Sequence, residues 1–117
     1  MPYDPLDLAH TIVNTLEERK GENILLMDLA AVCTFTDLFV ICTAGSERTL
    51  KALSTEVKRR VELEHETDPY HIEGNPSSGW VLLDYGSVIL HLFSQKLRDY
   101  YKLEQLWSEG KVLLRMP

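Results

Sequence analysis

The sequence predicts a single α/β domain: a mixed, five-stranded sheet with helices packed on it. Three observations predict it. Segments with apolar residues three and four apart alternate with short, nearly continuous apolar runs. Two of those runs, Asn23 to Leu29 and Leu38 to Thr43, are apolar on both sides, as strands covered on both faces are. Two more, Val81-Leu82-Leu83 and Val88-Ile89-Leu90, flank Asp84-Tyr85-Gly86-Ser87, where Gly86 can take the positive φ of a tight hairpin. The 117 residues suit one domain able to bury a core. That domain is read as residues 1–117, with its core at about 6–108 and a tail at 109–117 whose order the sequence does not decide.

The first helix opens at Asp4-Pro5, since Asp is a good N-cap and Pro fits the first helical position. Ala9, Ile12, Val13 and Leu16 recur at helical spacing, and Gly21 ends the segment. After the first two strands, Ser46 caps a long helix from Glu47 to about Glu64. Its apolar positions are Leu50, Leu53, Val57 and Val61. Its outer face is charged with both signs and reads as solvated. Asp68-Pro69 breaks that helix. Tyr70 to Glu73 then reads as a short edge strand, and Gly74 to Gly79 as a loop. The hairpin from Trp80 to Phe93 follows. Ser94 caps a last helix crowded with Leu97, Tyr100, Tyr101 and Trp107. Lys111 to Pro117 reads either as a docked tail or as a disordered end.

A net charge of −6 argues against generic nucleic-acid binding, which needs a basic surface. It suits a basic protein partner, because opposite fields speed and orient encounter. Cys33 and Cys42 are too few for a zinc pattern or a disulfide framework, and Cys42 is expected to be a buried free thiol. The acidic start lacks the features of a signal or transit peptide, and no apolar run approaches the ~20 residues of a membrane span. A cytoplasmic protein is the expectation, with no membrane partner and no sequence-specific nucleic-acid contact.

Catalytic constellations are sparse. Ala44-Gly45-Ser46 stands between a strand and a helix, where a phosphate could sit, but it lacks the P-loop lysine. Nucleotidyl transfer also needs paired carboxylates for metal ions. Asp84 has no partner two residues away, and Asp28 and Asp37 stand alone, so no catalytic residue, metal or cofactor is expected. His91 lies inside an apolar strand and reads as a hydrogen-bonded structural or interface histidine. Trp80, Tyr85, Tyr100, Tyr101 and Trp107 are too many large amphipathic rings to be all core. With Arg98 and Asp99 beside them they have hot-spot composition.

These residues resemble the ribosomal silencing factor family, also called Iojap-like. The resemblance rests on Thr34-Phe35-Thr36-Asp37, Phe39-Val40-Ile41-Cys42-Thr43, Ser46 with Arg48, and Glu73-Gly74. It continues with Trp80-Val81-Leu82-Leu83-Asp84-Tyr85-Gly86, His91-Leu92-Phe93, Arg98, Tyr101, Leu103-Glu104 and Leu106-Trp107. It covers about residues 6–108. It implies a fold like that of nucleotidyltransferases without their catalytic carboxylates, and no enzymatic activity. It also implies binding to the large ribosomal subunit through the fourteenth large-subunit ribosomal protein, which blocks joining of the small subunit and represses translation under nutrient limitation. The partner-binding positions it implies are Trp80, Asp84, Tyr85, His91, Arg98, Tyr101 and Trp107. Large-subunit assembly is the alternative role. A nucleotide-binding protein using the Gly45-Ser46 helix start and a homodimer through the aromatic face are the other two readings.

Overall fold

The computed structural model describes residues 4–117; residues 1–3, part of the acidic start, lie outside the described residues. The elements run α1 (Pro5–Glu18), β1 (Glu22–Asp28), β2 (Leu38–Ala44), α2 (Glu47–His65), β3 (His71–Asn75), a 3₁₀ turn (Pro76–Ser78), β4 (Trp80–Asp84), β5 (Val88–Ser94), α3 (Gln95–Tyr101), α4 (Leu103–Leu106) and β6 (Lys111–Met116). One mixed sheet holds the strands in the order β3-β4-β5-β2-β1-β6. Every pairing is antiparallel except β2 with β5, whose parallel register sets Phe39 beside Ile89, Ile41 beside His91 and Thr43 beside Phe93. A parallel pair needs a crossover, and the chain from α2 through β4 supplies it.

The helix starts follow local chemistry. Asp4 accepts from the Leu6 amide at 2.9 Å, and Ser46 accepts from the Thr49 amide at 3.1 Å. α1 and α2 cover one sheet face and bury Leu8, Ile12, Leu16, Leu53, Val57 and Val61 against Ile24, Leu26, Val40, Leu83, Leu90 and Leu92. Cys42 is in this layer as a free thiol, and burial pushes its pKa up to about 12. On the outer surface of the helices, Glu56 meets Arg19 at 3.0 Å and Arg59 at 2.6 Å. Exposed pairs of this kind add little stability.

The sheet has six strands, not the five expected. The sixth, β6, is the Lys111–Met116 segment, which pairs antiparallel with β1 and sets Leu25 beside Arg115. β1 is apolar enough to need a strand neighbour on both sides, and β6 closes its free edge. The last helix is also not continuous. Lys102 takes a left-handed conformation, φ 48°, and splits it into α3 and α4. The Trp80–Phe93 hairpin turns as expected, with Gly86 at φ +89° and the Asp84 carboxylate accepting from the Gly86 amide at 2.7 Å.

Candidate functional site

The second sheet face carries the alternate residues of each strand: Leu25, Met27, Phe39, Ile41, Ile89, His91 and Phe93. α3, α4 and the Phe35 loop cover it only in part. Leu97, Leu103 and Trp107 pack on it, and Trp80 and Leu82 remain half-buried at its β4 margin. The cover is incomplete because α3 and α4 are short, with seven and four residues.

The partial cover leaves a connected line of rings. Tyr100 meets Tyr101 edge to face at 4.9 Å between centroids, and Tyr101 meets Trp80 at 4.9 Å. Trp80 meets Phe93 at 4.8 Å and His91 at 5.9 Å. His91 meets Phe39 at 4.7 Å, Phe39 meets Trp107 at 5.9 Å, and Trp107 meets Phe35 at 5.8 Å. These distances are those of favourable tilted and edge-to-face aromatic pairs. The two ends of the line reach solvent: Tyr100 is 76% exposed, Tyr101 44% and Phe35 58%. Leu106, 73% exposed, lies on α4, which separates Tyr101 from Trp107 in the chain. Beside Trp80 a groove of about 360 Å³ opens between the β3–β4 margin and α3, with Trp80, Leu82, Leu97 and Tyr101 forming its apolar part and Glu73 and Ser78 its polar part.

The structure divides the seven expected contact residues. Trp80, Tyr101 and Trp107 belong to the line of rings, and Asp84 is half-buried at the end of β4. Tyr85, expected among the partner-binding positions, is fully buried and packs in the layer under α1 and α2. Its place one residue past Asp84 turns its ring to the helix-covered side, away from the aromatic line. His91 and Arg98 are also interior, at 4% and 7% exposure. Trp80 Nε1 donates to His91 Nδ1 at 3.3 Å, and burial pushes the His91 pKa down to about 4. Arg98 donates from Nη1 to the Asn23 carbonyl and to Thr43 Oγ1, both at 2.9 Å, and from Nε to Glu104 at 3.2 Å. The seven positions that the resemblance implies leave out Phe35, Tyr100 and Leu106, although Tyr100 is in the hot-spot set and Phe35 and Leu106 are in the motifs. The sequence signal at Phe35 is its place in the Thr34-Phe35-Thr36-Asp37 motif, which does not say whether the ring faces solvent.

At the α2 start, the Glu22 carboxylate lies 3.3 Å from where a side chain on Gly45 would begin, which opposes a phosphate there. Among the described residues no cluster of three or more His, Cys, Asp or Glu side chains could hold a metal ion. No helix of the described residues is long and apolar enough to cross a membrane.

Fold and surface together define a class: a single mixed-sheet α/β domain whose partly covered second sheet face is rimmed by exposed residues of the types found at protein-docking surfaces. The chain belongs to the ribosomal silencing factor family, whose model, described as "Ribosomal silencing factor during starvation", matches residues 2–115. It is 32% identical over 104 residues to the ribosomal silencing factor RsfS of Halalkalibacterium halodurans, covering 89% of this chain and 88% of that one. It is 33% identical over 99 residues to "Mitochondrial assembly of ribosomal large subunit protein 1" of Mus musculus, covering 83% of this chain and 43% of that protein. A crystal structure of a Chromobacterium violaceum protein superposes with a TM-score of 0.85 at 30% identity, covering 91% of this chain and 88% of that one. The family membership makes this chain a ribosomal silencing or assembly factor.

Proposed function

We propose that this protein binds the large ribosomal subunit through the fourteenth large-subunit ribosomal protein and blocks joining of the small subunit by occupying its place. It is a repressor of translation under nutrient limitation, and it acts without catalysis. The observation that carries the reading is the preassembled line of rings from Tyr100 to Phe35, whose ends reach solvent at the margins of the second sheet face. Rigid aromatic side chains in contact with one another lose little conformational entropy on binding, which is why they dominate interface hot spots. Glu73, which lines the groove beside Trp80, and Asp84, at the far end of β4, favour a basic partner in a chain of net charge −6. Trp80, Tyr101 and Trp107 are the anchors of this reading, and Asp84 pairs with a lysine or arginine of the partner.

The test is co-sedimentation of the purified protein with separated ribosomal subunits, with subunit joining scored in the same gradients. Binding to the large subunit with loss of joining is the expected result. Trp80→Ala and Tyr101→Ala should each weaken binding by about 2 kcal/mol. A folded double variant that binds like the original chain would remove this face from the interface. The name of the mouse relative favours a second reading, assembly of the large subunit. Binding without loss of joining is the outcome that selects it. Light scattering over a concentration series tests a homodimer through the same face; a monomer throughout discards it.

A further inference from the structure

Arg98 carries a charge that the structure withdraws from solvent, leaving its side chain 8% exposed. Its three hydrogen bonds end on three different elements. Asn23 is on β1, Thr43 on β2, and Glu104 on α4, while Arg98 itself is on α3. The Asn23 carbonyl is available because β1 is irregular there: Asn23 has φ 49°, and the β1–β2 register shifts between Glu22 and Leu25. Arg98 and Glu104 stand on either side of Lys102, the left-handed residue at which the chain leaves α3 for α4. Their ion pair therefore spans that turn. α4 has four residues and no side-chain cap at its start, so its own hydrogen bonds cannot fix its direction. Tyr101, before the turn, packs on Trp80, and Trp107, after it, packs on Phe39 and Phe35.

We infer that Arg98 is a positioning residue: it clamps the α3–α4 turn to β1 and β2 and so fixes Tyr101 and Trp107 in the relative placement that docking requires. Its effect on affinity rests on the docking reading above; its effect on the rings does not. A guanidinium suits the task because its planar fork serves a carbonyl, a hydroxyl and a carboxylate at once. A lysine in its place keeps the charge but has one nitrogen to share among those acceptors. Loss of the clamp leaves the sheet and the two long helices in place, because their contacts lie on the other face. A surface held slightly too loosely binds less well with all its residues present.

The test uses the full chain with Arg98→Lys, Glu104→Gln and the double variant. Glu104→Gln keeps the experiment decisive if Arg98→Lys does not fold, because the Glu104 side chain is 30% exposed and its replacement is nearly isosteric. The chain's two tryptophans, Trp80 and Trp107, both lie on the surface in question, so acrylamide quenching of their fluorescence reads its order directly. Affinity for purified large subunits and thermal unfolding by far-ultraviolet circular dichroism are measured beside it, with Trp80→Ala as the control for the docking face. Each single variant should bind about tenfold more weakly, the double variant no more weakly than the worse single one, and quenching should rise while unfolding stays cooperative. Unchanged quenching in a folded variant overturns the inference, as does a double variant whose loss is the product of the two single losses. If Trp80→Ala leaves affinity untouched, the docking reading falls instead, and quenching alone decides on the clamp.

Discussion

Mild acid should destabilise this domain through His91. The ring is 4% exposed and lies among Phe39, Trp80 and Phe93. Indole nitrogen only donates, so His91 Nδ1 accepts from Trp80 and the ring proton rests on Nε2. That Nε2 is buried without a hydrogen-bond partner. A second proton would enter at Nδ1, against the Trp80 N–H and inside a layer of rings. Burial accordingly lowers the pKa from 6.5 to about 4. Below pH 6.5 the unfolded chain takes up a proton that the folded chain refuses. The contribution is therefore complete above pH 6.5 and is lost as the pH falls toward 4. Two and a half pH units at about 1.4 kcal/mol each give about 3–4 kcal/mol. Urea unfolding of the original chain and of His91→Phe, at several pH values from 7 down to 4.5, measures it. Glu56, which a hydrogen bond from Arg59 holds at a pKa of about 2, stays charged through this window in both proteins. All other titratable groups are the same residues in both proteins, so the difference in slope isolates His91. Between pH 7 and pH 4.5 the original chain should lose about 2 kcal/mol more stability than His91→Phe does. Equal slopes would refute the neutral buried ring.

Three further perturbations separate core, edge and surface. Tyr85→Ala should lower stability by about 3–5 kcal/mol, because it empties a site under α1 and α2, and chemical unfolding reads the loss. A stable Tyr85→Ala with weakened subunit binding would return this ring to the docking face. Gly74→Ala should cost more than about 2 kcal/mol by the same measurement. Gly74 has φ +79°, and an added Cβ would fall on the Trp80 carbonyl oxygen. A shift below about 0.5 kcal/mol would mean that β3 and β4 separate easily. Truncation after Gly110 removes β6 and bares the β1 edge, so the shortened chain should scatter light increasingly with concentration. A monodisperse truncated protein would show that β1 needs no cover.

The sequence by itself determined whatever a few neighbouring residues decide. Asp4 and Ser46 begin helices because a short oxygen-bearing side chain reaches an amide two or three positions on. Gly86 makes the hairpin because its φ is open to a residue without a Cβ. The apolar runs of β1 and β2 announced strands covered on both faces, and the family motifs located the aromatic stretch beside them. Only the tertiary structure decided which rings face outward. Tyr85 and Trp80 are equally aromatic and belong to one hairpin, but they end on opposite sheet faces, because the side a ring takes depends on pleat and turn together. β6 was illegible for a related reason: a short segment becomes a strand when an unpaired edge awaits it, and that edge belongs to residues some ninety positions earlier. Arg98 read as a partner-binding residue because it stands beside the aromatic rings in the sequence. Its burial depends on the Asn23 carbonyl, the Thr43 hydroxyl and the Glu104 carboxylate converging from three elements, and such convergence exists only once the chain has folded.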